Sequence, residues 1–111
     1  MKKLEQLLHR KKSDPYITYR ARVEQERITK KLPANAITVE EFNWKMAEVD
    51  ERYNNIPEEI ELQFPSIGKL YSDAKSLSGT IIKAGRVNRK QWNKLVNISF
   101  NLLEASYLRA N

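Results

Sequence analysis

The stretches Ile37-Thr38-Val39-Glu40-Glu41-Phe42 and Val87-Asn88-Arg89-Lys90-Gln91-Trp92 decide how this chain folds. In the first, the Thr38 hydroxyl is placed to accept from the backbone N–H three residues on, and the Glu41 carboxylate reaches back to the N–H of Thr38. This reciprocal pair satisfies two donors that the start of a helix otherwise leaves without partners. Ile37 and Phe42 bracket it as a hydrophobic staple, which fixes the angle at which the chain enters the helix. In the second stretch the same roles fall to Asn88, Gln91, Val87 and Trp92. Cap, box and staple together predict a helix start at both places. The sequences diverge directly afterwards, so the two starts are not a repeat.

The helix from Val39 is expected to fray near Asn54-Asn55, with Phe42, Met46, Val49 and Tyr53 on its core side. Ile56-Pro57-Glu58-Glu59 then suits a short helical turn or loop. From about Pro65 to Lys83, Ile67, Leu70, Tyr71, Ala74, Leu77, Ile81 and Ile82 recur at spacings of three and four, which predicts one buried stripe along a single helix. Gly85 is the left-handed stop. The last helix is expected from Arg89 to about Arg109, burying Trp92, Leu95, Val96, Ser99, Leu102, Leu103 and Tyr107. Upstream, Asp14 is a cap and Pro15 suits the first helical position, where a missing N–H costs nothing. That helix runs to about Lys31 and stops before Pro33. Residues 2–12, with Leu4, Leu7 and Leu8 among lysines and arginines, read as a short, loosely attached amphipathic helix. No segment alternates with period two. The expected fold is all-α: a single domain over residues 1–111, built as a bundle of four to five helices.

A chain of 111 residues, 41% of them hydrophobic, suits one core and is too short for two. The absence of cysteine excludes disulfides, zinc ribbons and thiol chemistry. No apolar run approaches the roughly 20 residues of a membrane span. The basic start MKKLEQLLHRKK lacks the unbroken apolar stretch and cleavage site of a secretory signal. The expected location is cytoplasmic, or with a nucleoid or ribonucleoprotein.

The formal charge of +6 is unevenly placed. Residues 1–31 carry ten Lys/Arg against four Asp/Glu, residues 32–64 two against eight, and residues 65–111 eight against two. Two basic flanks around an acidic centre attract polyanions if they stay exposed, and neutralise the centre if they fold onto it.

Outward faces carry the functional expectations. In the helix from Pro15, Ile17, Ala21, Ile28 and Leu32 make a narrow apolar stripe. Tyr16, Tyr19, Arg20, Val23, Arg27 and Lys30 lie on a different face, followed by Lys31. Rings interleaved with cations suit nucleic acid, and the same tyrosines suit burial against a neighbouring helix. In the last helix Lys90, Asn93, Lys94, Asn97 and Asn101 stand opposite the core stripe. Asparagine is a poor helix former, and three exposed ones cost roughly 1–2 kcal/mol against alanine. Hydrogen bonds to phosphates, base edges or a partner's backbone would offset that cost, and drift in a protein with stability to spare is the alternative. Lys83, Arg86 and Arg89 crowd the turn between the last two long helices. The run Lys83–Asn88 is similar to the turn of a helix-turn-helix, but its flanking helices are longer and the spacing after Gly85 departs by one residue. Gly68, Ser72, Ser76 and Gly79 form a small-residue face suited to close packing.

The acidic centre supports a rival. Trp44 points away from the core side of its helix, among Glu40, Glu48 and Glu51, as an anchor for a protein partner or as a ring packed on a basic helix of the same chain. For catalysis there is little. His9 is the only histidine, and no phosphate loop, zinc-protease, calcium-loop or nucleophile-elbow pattern occurs. Glu58, Glu59 and Glu61 with Asp50 and Glu51 are carboxylates more often solvated than gathered on a metal. The expectation is a non-enzymatic protein without metal, cofactor or small-molecule substrate. It binds DNA or RNA mainly through phosphates, as an accessory subunit of a nucleoprotein complex. The alternative is a protein–protein interaction module, an adaptor or inhibitor of a larger machine.

Overall fold

The computed structural model describes residues 15–108. The expected helix over 2–12, the Asp14 cap and His9 lie outside them. Among the described residues there are five helices and no strand: α1 (Pro15–Lys30), α2 (Val39–Asn54), α3 (Glu58–Gln63), α4 (Ser66–Ala84) and α5 (Arg89–Ala105). None of them is long and apolar enough to cross a membrane.

The cap and the box of both quoted starts are built as read. Thr38 Oγ1 accepts from the Glu41 N–H at 3.0 Å, and Glu41 Oε1 accepts from the Thr38 N–H at 3.0 Å. Asn88 and Gln91 repeat the exchange at 2.8 and 2.9 Å. Gly85 ends α4 at φ 71°, with its N–H donating to the Ile81 carbonyl at 2.8 Å.

Helix α2 is the hub. It packs against α1, α4 and α5, while α1 packs against no other helix of the bundle. The core joins Phe42, Met46 and Val49 of α2 to Ile56, Ile60, Ile67, Ala74, Ile81, Leu95, Ile98, Leu102 and Ala105. Each large side chain buried there contributes about 1.5–3 kcal/mol. Polar ties close the rim. Arg52 Nη1 donates to the Ser99 carbonyl at 2.9 Å and to its hydroxyl at 2.8 Å, which explains a buried serine on the core face of α5. The Tyr53 and Tyr71 rings stack with centroids 4.0 Å apart. Tyr71 donates its hydroxyl to Asp50 at 2.6 Å, and Tyr53 donates to Glu61. The bond to Asp50, aided by burial, pushes the Tyr71 phenol up to about 12; the bond to Glu61 raises Tyr53 in the same way.

Three expectations are corrected. Ile82, placed in the buried stripe, is 65% exposed, because it lies about 100° around the helix from the fully buried Ile81. Helix α5 stops at Ala105 instead of about Arg109, which leaves Tyr107 75% exposed. In α1 the narrow apolar stripe is not the inner face, and of the two readings for the tyrosines, packing on a neighbouring helix is the one found. The Tyr16/Tyr19/Val23 side packs on α2, with Val23 fully buried, while Ile17, Ala21 and Ile28 face solvent. Glu24 interrupts the apolar stripe two turns after Ile17, so it is too narrow to outweigh the polar contacts that α2 offers to the other side.

Candidate nucleic-acid interface

Helix α1 ends in a Schellman motif: the Leu32 N–H donates to the Arg27 carbonyl at 3.0 Å and the Lys31 N–H to the Ile28 carbonyl at 3.3 Å. The left-handed residue of that motif is Lys31, at φ 55°, a position where glycine is usual. Arg27 fastens the following loop, donating to the Ala36 carbonyl at 2.7 Å and pairing with Glu41 at 2.9 Å.

Lys30 reaches further. Its ammonium donates to Glu26 at 3.0 Å and to the Gly85 carbonyl at 2.6 Å, which ties the end of α1 to the α4–α5 turn. Arg89 makes a second tie, to the Asn35 carbonyl at 2.9 Å. Lys30, Leu32, Arg86 and Val87 line a shallow cleft between the two. The basic flanks thus meet at one end of the bundle.

Around that junction Lys31, Lys83, Arg86 and Lys90 are exposed, and Lys94 follows one turn along α5. Among the described residues these five form no ion pair. The outer face of α5 continues from them through Asn93, Asn97 and Asn101, all exposed, and closes at exposed Glu104, with exposed Phe100 to one side. The first turn of α5 holds no acidic residue.

The other expected site residues lie elsewhere or are engaged. Arg20 sits beside the Tyr19 ring, 6.0 Å from its centroid, about 15 Å along α1 from Lys30. Arg27 and Lys30 spend their donors inside the molecule. The acidic centre stays net negative, but part of it is engaged locally: Glu48 pairs with Lys45 at 2.9 Å and with Arg52 at 2.5 Å, and Asp50 and Glu61 accept from the tyrosines. Its one ion pair with a basic flank, among the described residues, is Glu41 with Arg27. No group of three or more metal-ligating side chains gathers among the described residues.

Glu26 was not legible as a functional position. Its carboxylate accepts the Val39 N–H at 2.7 Å and the Glu40 N–H at 2.9 Å, from thirteen and fourteen residues away. With Thr38 and Glu41 it completes the satisfaction of the α2 N-terminus. Burial opposes the charge on Glu26, but the two backbone donors and Lys30 outweigh it and hold the carboxyl below its ordinary range. The local sequence carries no signal for such a cap.

Trp44 is 42% exposed and stacks on Tyr19 with centroids 4.3 Å apart, while Tyr16 meets it edge-on at 6.2 Å. It therefore packs on a basic helix of its own chain, through tyrosine rings. Burial, then the nearby Glu41 charge, raise the Tyr19 phenol. Glu40 and Glu48 are half-buried on this side and Glu51 is exposed. Compared with protein-family models, curated proteins and solved structures, the chain matches none.

Proposed function

We propose that this protein binds nucleic acid through backbone phosphates, at the end of the bundle where α1 meets the α4–α5 turn, as a non-catalytic accessory subunit. The observation that carries the reading is the Lys30–Gly85 bond: it joins the two basic flanks, while the acidic centre makes one ion pair with them among the described residues, Glu41 with Arg27. Exposed, unpaired cations on one surface release counterions from a polyanion, which is the main source of sequence-independent affinity. Fluorescence anisotropy at low salt against single- and double-stranded DNA and RNA tests it. Binding to at least one of them supports the reading, and failure to bind any of them ends it.

A second reading has one observation in its favour. Trp44 and Tyr16 each keep about half their surface in water after packing on one another's helices, an area available to a protein partner. A purified partner whose affinity falls at least tenfold on Trp44→Ala, while nucleic acid is ignored, would replace the first reading with this one.

A further inference from the structure

Resting on the phosphate reading above, we infer that α5 enters the major groove of B-form double-stranded DNA, where the amides of Asn93, Asn97 and Asn101 read adenine edges. All three are exposed, and none of their amides bonds to another described residue, so each keeps its donor and its acceptor for a ligand. An asparagine amide matches adenine at N6 and N7, a pair of groups displayed side by side only in the major groove. Lys90 and Lys94 alternate with the asparagines on the same face. Lysine in that position meets guanine O6 and N7 or the flanking phosphates.

Dimensions agree. From Asn93 to Asn101 the helix rises about 12 Å, and a base pair rises about 3.4 Å, so the row covers three to four base-pair steps. Lys31, Lys83 and Arg86 stand at the N-terminal end of that row, where the groove wall brings phosphates. Glu104 repels phosphate at the other end and limits the footprint. Phe100, exposed beside the row, is an apolar surface for a thymine methyl, which shares the groove with the adenine edge. A single strand is the poorer match, since Phe100 is one ring where successive bases need a series of them to stack on. Double-stranded RNA is poorer still, because its major groove is too narrow for a helix.

The test uses the full chain and a pool of DNA duplexes with a randomised centre. The wild type is expected to enrich sites containing A·T pairs within a core of about four base pairs. The triple variant Asn93→Ala/Asn97→Ala/Asn101→Ala is a better helix former and keeps every cation, so it still folds and binds duplex through phosphates yet enriches nothing. Replacing adenine N7 by carbon in the enriched site weakens the wild type about tenfold and leaves the variant unchanged. If the wild type enriches no site, if the variant enriches the same site, or if single strands or RNA duplexes bind more tightly than DNA, the groove inference is overturned and phosphate binding stands. If no nucleic acid binds at all, both fall.

Discussion

Glu26→Gln is the sharpest probe of how α1 is held. The carboxylate is about one-tenth exposed and accepts three charge-assisted bonds, from the Val39 and Glu40 N–H groups and from Lys30. Glutamine keeps its carbonyl oxygen where it serves the Val39 N–H and Lys30, and turns an NH2 group toward the Glu40 N–H. The loss is therefore one hydrogen bond to a charged group plus the attraction of an anion to the start of α2, together about 2–3 kcal/mol. For a domain of this size that lowers the melting temperature by roughly 8–12 °C at neutral pH. The pH dependence has a definite sign. The folded-state pKa of Glu26 lies below its ordinary 4.5, so its stabilisation is complete above that value and is lost as pH falls through the folded pKa. The gap between wild type and variant, followed by circular dichroism melts, is wide at neutral pH and closes in acid. A variant that melts within about 2 °C of the wild type at neutral pH, or a gap that persists unchanged at about pH 3, refutes the reasoning.

Lys31→Gly relieves the left-handed strain at φ 55° and stabilises the fold by roughly 0.5–1 kcal/mol, while weakening nucleic-acid binding; a denaturant melt and a binding titration read the two opposed changes. Tyr71 keeps its proton until about 12, so the stability from its bond to Asp50 is intact below its ordinary value of 10.0 and disappears as pH rises through about 12. Phenolate absorbance should show a component titrating near 12 that Tyr71→Phe removes, at a cost of about 1 kcal/mol at neutral pH. Trp44→Ala removes the Tyr19 stack and destabilises α1, yet leaves affinity for nucleic acid within about twofold, as titrations at a temperature where both proteins are folded would show.

Local signals made the helices legible. Thr38/Glu41, Asn88/Gln91 and Gly85 act through bonds within a few residues of themselves, so sequence spacing reports them. The apolar repeat of α4 was equally plain, except at Ile82, where counting threes and fours admitted a neighbour one position out of phase. Helix α1 was legible only in part. Packing of its tyrosines on a neighbouring helix is one of the two readings the sequence offers, but the choice rests on tertiary partners, since Glu26 serves a helix start thirteen residues away and Tyr19 stacks on a tryptophan twenty-five residues on. Hydrophobic patterning gave Ile17, Ala21 and Ile28 the priority that those contacts took. The cations and asparagines of α5 were readable as an outward face because the core stripe opposite them was strong. Their junction with Lys30 and Lys31 was not, since it depends on one ammonium reaching the Gly85 carbonyl across the fold.

The dependence of nucleic-acid affinity on salt tests the central claim most directly, compared between the wild type and the variant Arg86→Gln/Lys90→Gln/Lys94→Gln. If these side chains meet phosphates, removing three charges flattens the slope of log affinity against log salt by about 2–3, at roughly 0.9 per lost contact on duplex DNA. Neutralising Arg20 and Arg22, about 12–15 Å along α1 from Lys30, leaves it unchanged. Equal slopes for the wild type and the triple variant, or an equal loss from the Arg20 and Arg22 pair, would contradict the account.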